Sequence, residues 1–296
     1  MAFVENQAAR IYWDERGQDE PILFIMGLGY PSAMWHRTRP ALAARYRTIA
    51  LDNRGAGRSD TPPGPYSIRL MASDAAAVLD AAGIESAHVF GVSMGGMIAQ
   101  EFALQYPQRV LSLILGCTAA GGPTAVRADA EATRLLMRRD KMSSEEAAEA
   151  AVPFIYDQST PREWIEEDLA IRRPWFPSPE GYAAQLQGIL AWEAYSRLAQ
   201  IVAPTMVIHG ESDRLVPPGN ANLIAERIPG AKLVMIPRAS HLFLTDQPEA
   251  AHRAILDFMA AQSAATTAGK DRERAEGQPL GDSSSQNFGE EEKASC

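Results

Sequence analysis

Cysteine is nearly missing: two occur in 296 residues, Cys117 inside an apolar run and Cys296 at the last position. That is too few for a disulfide framework and favours a reducing compartment. No stretch approaches the ~18 successive apolar residues of a membrane span. The start, MAFVENQAARIYWDERG, has no basic segment followed by an apolar one, the mark of a leader. The expectation is a cytoplasmic protein with no membrane partner. Basic clusters are scarce too. Lys and Arg number 28 against 37 Asp and Glu, a net charge of -9, which repels phosphate backbones and excludes nucleic acid as a partner.

What is present has the proportions of a globular enzyme or binding protein. Apolar residues make up 46% of the chain and charged ones 22%, which excludes wholesale disorder and fibrous architecture. The length suffices for one large domain with a deep core. There is no internal repeat, and nothing in the pattern fixes an oligomeric state. From Gln262 onward large apolar residues dwindle to Leu280 and Phe288 while serine, glycine and charges accumulate, so residues 262–296 read as a disordered C-terminal tail.

Along the body, short apolar runs alternate with helical stripes. Residues 8–13, 22–26, 48–51, 87–92 and 110–115 read as strands, and 34–45, 67–82 and 97–106 as helices. The beginning looks like a β-meander followed by βαβ units, and the near-continuous apolar run 110–115 suits a buried parallel strand. From residue 121 to 197 strand signals vanish and helix starts recur: Ser143 with Glu146, Thr160-Pro161 with Glu163, and Ser178-Pro179. Alternation then resumes with strands at 205–209 and 232–236 and helices at 221–227 and 248–261. The expected plan is one α/β core in two parts, 1–120 and 198–261, interrupted by a helical cap at 121–197.

The stretch HVFGVSMGGMIAQEFA, residues 88–103, places Ser93 between a strand and a helix with Gly91 and Gly95 two residues to either side. A serine at such a corner sits in a strained backbone, and its flanking residues must be small for strand and helix to approach. The N-terminus of the following helix would aim N–H groups at the corner, where they can stabilise an oxyanion. A serine hydroxyl needs a base, and the base an orienting acid. Asp213 in HGESDRLVPP and His241 in IPRASHLFL each follow a predicted strand, at the carboxyl edge where open parallel sheets bind ligands.

Other polar residues carry blander readings. His36, His88, His209 and His252 read as surface or satisfied interior histidines. His209, Glu211 and Asp213 alternate along a strand end without a helix-spaced ligand pair, so no metal is expected. Asp52, Arg54 and Ser59 in DNRGAGRSD form a loop that braces a site rather than touching substrate. Cys117 reads as core filler. The cap holds Phe154, Tyr156, Trp164, Trp175, Phe176, Tyr182, Trp192 and Tyr195, rings that pack helices onto the sheet and give the lid an apolar underside.

The order Ser, Asp, His, with the glycine-flanked serine and the helical insertion, resembles the α/β-hydrolase fold superfamily over residues 3 to 261. That fold is a mostly parallel sheet with helices on both faces and a helical cap. FIMGLG, MWHRTRPALAARYRTIALDNRGAGRSD and GVSMGGMIAQ are similar to its cofactor-free esterase and lactonase branch, which includes 3-oxoadipate enol-lactonases. The resemblance implies Ser93 as nucleophile, His241 as general base and then acid, Asp213 as its orienting partner, and backbone N–H groups of Leu28 and Met94 as the oxyanion hole, with no cofactor. Met26 departs from the His-Gly pair of many relatives, which touches loop detail rather than a backbone donor. The implied activity is cleavage of a carboxylic ester or lactone of a small, largely apolar molecule. Carbon–carbon bond hydrolysis by the same triad is one alternative, and a non-catalytic ligand- or partner-binding protein on this scaffold is another.

Overall fold

The computed structural model describes residues 1–138 and 142–276. Eight strands form its sheet: β1 (Ala2–Asn6), β2 (Ala9–Arg16), β3 (Pro21–Ile25), β4 (Arg47–Leu51), β5 (Ala87–Val92), β6 (Val110–Gly116), β7 (Thr205–Gly210) and β8 (Lys232–Ile236). Their order is β1-β2-β4-β3-β5-β6-β7-β8. β2 pairs antiparallel with β1 and β4, and the strands from β4 to β8 are parallel. The sequence pattern correctly indicates an α/β fold with helices on both faces.

Alternation along the central strands divides the interior into two layers, because successive side chains point to opposite faces. Leu23, Ile25, Val89, Leu113 and Val207 face one cluster, shared with α2 (Ile68–Ala81), α3 (Met94–Gln105) and α8 (Gly219–Arg227). Ile22, Phe24, Phe90, Ile114 and Met206 face the other, against α1 (Thr38–Ala43) and α10 (Pro248–Glu276). β5 and β7 are buried at every position, which is why their sequences read as apolar runs.

Several expected elements are redrawn. β1 was not legible because the turn into β2 places Gln7 and Ala8 at φ 43° and 60°, a conformation usually signalled by Asn-Gly. The meander gives way to a crossover, since β2 pairs with β4 and not β3. The helix expected over 34–45 is a 3-10 turn, Ser32–His36, followed by α1. Pro40 has no N–H to donate and is tolerated only in the first turn of a helix. α10 continues to Glu276 rather than closing at Ala261, so the expected disordered tail is helical from residue 262 to 276. Its alanines and charged residues are good helix formers. Residues 277–296 lie outside the described residues.

Between β6 and β7 stand α4 (Ala130–Arg138), α5 (Ser144–Ile155), α6 (Arg162–Arg172) and α7 (Pro179–Ala191). Ser143 and Glu146 form a reciprocal capping box on α5, and Ser178 accepts from Gly181 N–H at the start of α7. Thr160 does not cap α6. Its hydroxyl donates to Asp246 of the short helix α9 (Phe243–Asp246) at 2.5 Å. Asp246 also accepts Asp157 N–H at 3.2 Å and Ser240 N–H at 2.6 Å, so one carboxylate ties the α5–α6 turn to the segment just before His241.

Burial raises the Asp246 pKa to about 6, against the opposing hydrogen bonds from Thr160, Ser240 and Asp157, and the Asp157 charge adds to the rise. A folded pKa above the ordinary carboxylate value means that the native state binds the proton between roughly pH 4 and 6. Ionisation above that window costs up to about 3 kcal/mol, and the cost is relieved as pH falls. Wild-type protein should therefore gain several degrees in Tm relative to Asp246→Asn between pH 6.5 and 4.5, measured by thermal unfolding in matched buffers. A constant difference in Tm across that range would contradict the assignment.

Candidate active site

β5 runs straight into Ser93, whose backbone sits at φ 57° and ψ -123°, and α3 starts at the next residue. A non-glycine residue there costs on the order of 1–3 kcal/mol. Its peptide groups are held firmly: Ser93 N–H donates to Gly116 O at 2.9 Å, and Thr118 Oγ1 donates to Ser93 O at 2.7 Å. The flanking glycines are contact requirements. A Cβ on Gly91 would lie 2.1 Å from Gly95 O, and one on Gly95 would lie 2.0 Å from Ile25 O. The helix start expected at 97 moves back to Met94 because Gly95 and Gly96 form the first helical turn rather than a loop.

This close approach brings the segment after β3 beside the hydroxyl. A Cβ on Gly27 would stand 3.0 Å from Ser93 Cβ and 3.4 Å from its Oγ. Met94 N–H has no carbonyl to meet within its own helix, and Leu28 N–H has no acceptor among the described residues. The neighbouring Gly29 N–H is taken, donating at 2.8 Å to Oε1 of Gln185 on α7. Gln185 Nε2 in turn donates to Arg54 O at 2.7 Å, and Asn53 Nδ2 donates to Met26 O at 2.8 Å.

The loop after β4 has the bracing character that its polarity suggests. Asp52 accepts Ser32 N–H at 2.5 Å and Arg58 N–H at 2.8 Å, while Arg54 pairs through two nitrogens with Asp74 at 2.6 and 2.7 Å. Ser59 donates to Asp52 O at 2.5 Å. These side chains do not line the cavity above Ser93. Gln185 escaped sequence reasoning because a single buried amide on a helix carries no motif.

Asp213 and His241 meet in the loops that follow β7 and β8. His241 Nδ1 lies 2.8 Å from Asp213 Oδ2, and Asp213 Oδ1 accepts N–H groups from Leu215 at 2.9 Å and Val216 at 2.8 Å. His209, on β7, places Nε2 3.2 Å from Asp213 Oδ2 and 2.7 Å from Val216 O. Burial alone would raise the Asp213 pKa, but the charge and hydrogen bond of His241 and those of His209 hold it down to about 2. The carboxylate is thus ionised across the physiological range. His209, which reads from sequence as an ordinary interior histidine, is a buttress of this acid.

Ser93 and His241 open into one cavity of about 250 Å³ whose wall includes Leu28 and Met94. The cap contributes mainly aliphatic side chains, among them Ile155, Leu186 and Ile189, and of the eight expected rings only Tyr182 joins them among the described residues. Trp164 and Trp175 lie under Arg37 and Arg58, and Trp192 donates to Glu101, so these rings serve packing. Cys117 also borders the cavity, where burial and then the Asp213 charge push its thiol well above the ordinary value, which disfavours a thiolate nucleophile. Among the described residues no group of three or more His, Cys, Asp or Glu side chains is gathered to hold a metal, and no helix is long and apolar enough to cross a membrane.

Gln185→Leu should strand the Gly29 N–H and the Arg54 carbonyl in the interior. At about 1–3 kcal/mol for each buried unsatisfied group, the expected outcome is a Tm lower by several degrees in a calorimetric scan. An unchanged Tm would show that the loop does not depend on the amide.

Comparison with known proteins identifies the family to which this fold belongs. The alpha/beta hydrolase fold family matches residues 20–248. A candidate carbamate hydrolase, RutD, of Azorhizobium caulinodans is 35% identical over 269 residues, spanning 87% of this chain and 98% of that one. The solved structure of Est816, described as an N-acyl homoserine lactone degrading enzyme, superposes with a TM-score of 0.75 at 29% identity, over 87% of this chain and 100% of the other. The enol-lactonase of Burkholderia xenovorans shares the fold, with a TM-score of 0.78 at 24% identity over 88% and 100% of the two chains. The chain belongs to the alpha/beta hydrolase fold family.

Proposed function

We propose that the protein is a serine hydrolase that cleaves a carboxylic ester or lactone through an acyl-enzyme on Ser93. The observation that carries this reading is the 2.8 Å contact between His241 Nδ1 and Asp213 Oδ2, at the rim of the cavity that also holds Ser93. An ionised Asp213 fixes the proton on Nδ1 and leaves Nε2 as the basic nitrogen. Nε2 takes the Ser93 proton as Oγ attacks the substrate carbonyl. The N–H groups of Leu28 and Met94 receive the charge that develops on the carbonyl oxygen. The imidazolium then returns the proton to the departing alkoxide, and water repeats the cycle to release the acid. The relatives' names fit this class, since a carbamate and a lactone each present a carbonyl bonded to a heteroatom. The cap, residues 121–197 in this reading, closes the cavity, and the aliphatic side chains it supplies suit an apolar substrate body.

The deciding experiment is a screen of 4-nitrophenyl esters of several chain lengths together with lactones. Ser93→Ala should remain folded and lose at least ~10³-fold in turnover, because oxyanion donors and binding remain while the acylation route disappears. Saturable binding of these compounds with no turnover by the wild-type protein would instead favour a ligand-binding role.

The oxyanion assignment separates backbone from side chain at one position. Leu28→Ala keeps the N–H, whereas Leu28→Pro has none to donate. Proline should cost on the order of 10² to 10³ in kcat and alanine far less, with thermal unfolding to confirm that each variant is folded. Equal rates for two well-folded variants would remove Leu28 from the oxyanion hole.

A further inference from the structure

Among the described residues the cavity wall contains one permanent cation, and no described carboxylate pairs with it. Arg172, the last residue of α6, is 2% exposed and lines the same chamber as Ser93 and His241. Its Nε and Nη1 are buried without a hydrogen-bond partner, and among the described residues no carboxylate stands within ion-pairing distance of it. The guanidinium carbon lies 3.7 Å from the centre of the Tyr30 ring and 5.6 Å from that of Phe176. Both rings pack against the guanidinium and steady it, but a ring face is no substitute for an oxygen acceptor of its N–H groups.

The nearest acid on the same helix is already committed. Asp168, one turn before Arg172, accepts the Tyr156 hydroxyl at 3.0 Å and the Thr245 hydroxyl at 2.7 Å on Oδ2. Its Oδ1 faces His36 Nε2 at 3.3 Å and Arg37 Nε at 3.5 Å. Asp168 therefore has its own cation in Arg37. Arg172, Tyr30 and Thr245 form a polar corner in an otherwise largely aliphatic chamber. A buried charge with unsatisfied donors is strongly disfavoured unless something pairs with it.

We propose that Arg172 is the recognition site for a carboxylate on the substrate, so that the molecule cleaved is an ester or lactone carrying a carboxylate besides the scissile carbonyl. This rests on the hydrolase reading of Ser93 and narrows its substrate class. A planar guanidinium offers two parallel N–H groups to the two oxygens of a carboxylate. A single positive charge matches a monoanion, whereas a phosphate dianion would bring a second negative charge into the apolar chamber unanswered. The apolar lining then holds the chain between the two carbonyl ends. This adds one charged group to the small, largely apolar substrate expected from the sequence, where nothing placed an arginine of α6 inside the chamber.

The test uses the full chain, wild type, Arg172→Met and Arg172→Lys, each checked by circular dichroism and thermal unfolding. Substrates are paired by size. The 4-nitrophenyl half-esters of glutaric and adipic acid are compared with 4-nitrophenyl pentanoate and hexanoate, and 4-acetoxybutanoate is compared with its methyl ester. The expected result is a preference in kcat/KM of at least ~10-fold for the charged member of one or more pairs. That preference should collapse toward unity in the methionine variant and be partly kept in the lysine variant.

Wild-type protein that prefers the neutral member of every pair, or a methionine variant that slows both members equally, would overturn the assignment while leaving the serine hydrolase reading in place. Absence of turnover for every ester would strike at the hydrolase reading instead. In that event calorimetric binding of glutarate and adipate, wild type against the two variants, still decides the role of Arg172. Dicarboxylate binding weakened at least tenfold by methionine supports it, and binding indifferent to the substitution rejects it.

Discussion

The site depends first on a backbone approach. The opening turn of α3 lies directly on the end of β3, so that no atom larger than hydrogen fits between Gly95 Cα and the Ile25 carbonyl. That contact decides where everything else goes. It bends the chain through the strained conformation at Ser93, starts α3 at the next residue, and sets Gly27 against the serine side chain. The strain is carried by hydrogen bonds from neighbouring strands, Gly116 and Thr118 among them. A parallel sheet, with both faces buried, is rigid enough to supply them.

Around this corner the remaining parts reach the same edge of the sheet by separate routes. Asp213 leaves β7 and is fixed by N–H donors from its own loop, and His241 follows β8 and is held by Asp213 across the two loops. The cap joins this assembly by polar links as well as by apolar contact. Gln185 holds the segment beside Ser93, and Thr160 and Asp157 hold Asp246 next to the His241 segment. The cap is thus bonded to both halves of the candidate machinery, and its aliphatic side chains, with Arg172, form much of the chamber wall.

What the sequence displayed, and what it hid, follows from the range of the interactions involved. The α/β alternation was legible because it is a local pattern of burial, and Ser93 was legible because its glycines are a local steric demand. Asp213 and His241 could be picked out from strand ends and chain order. β1 was hidden by an atypical turn at Gln7 and Ala8, and the pairing of β2 with β4 by a crossover that no local signal records. His209, Gln185 and Arg172 were hidden for a deeper reason. Gln185 matters through Gly29 and Arg54, which lie far away along the chain, Arg172 through a missing partner, and His209 through an acid only four residues on, and residue type alone reveals none of these. Most of the cap's aromatic residues pack helices and stack on cations, as their number suggested, while the apolar underside expected of them is supplied mainly by aliphatic side chains.

The Gln185 bridge has a bearing on how such proteins can be recombined. A helical cap inserted between two strands looks like a module that could be exchanged among relatives to graft one specificity onto another core. Here the exchange has a covalently trivial but sterically strict condition, because one amide on α7 completes a peptide N–H of the core and a peptide carbonyl of the β4 loop at once. A foreign cap that fits the rim but lacks a donor and an acceptor at that point would leave the core's own loop unsupported. Compatibility between cap and core is therefore written at residue 185 as much as along the apolar seam, and chimaeras should be designed with that position inherited together with the core.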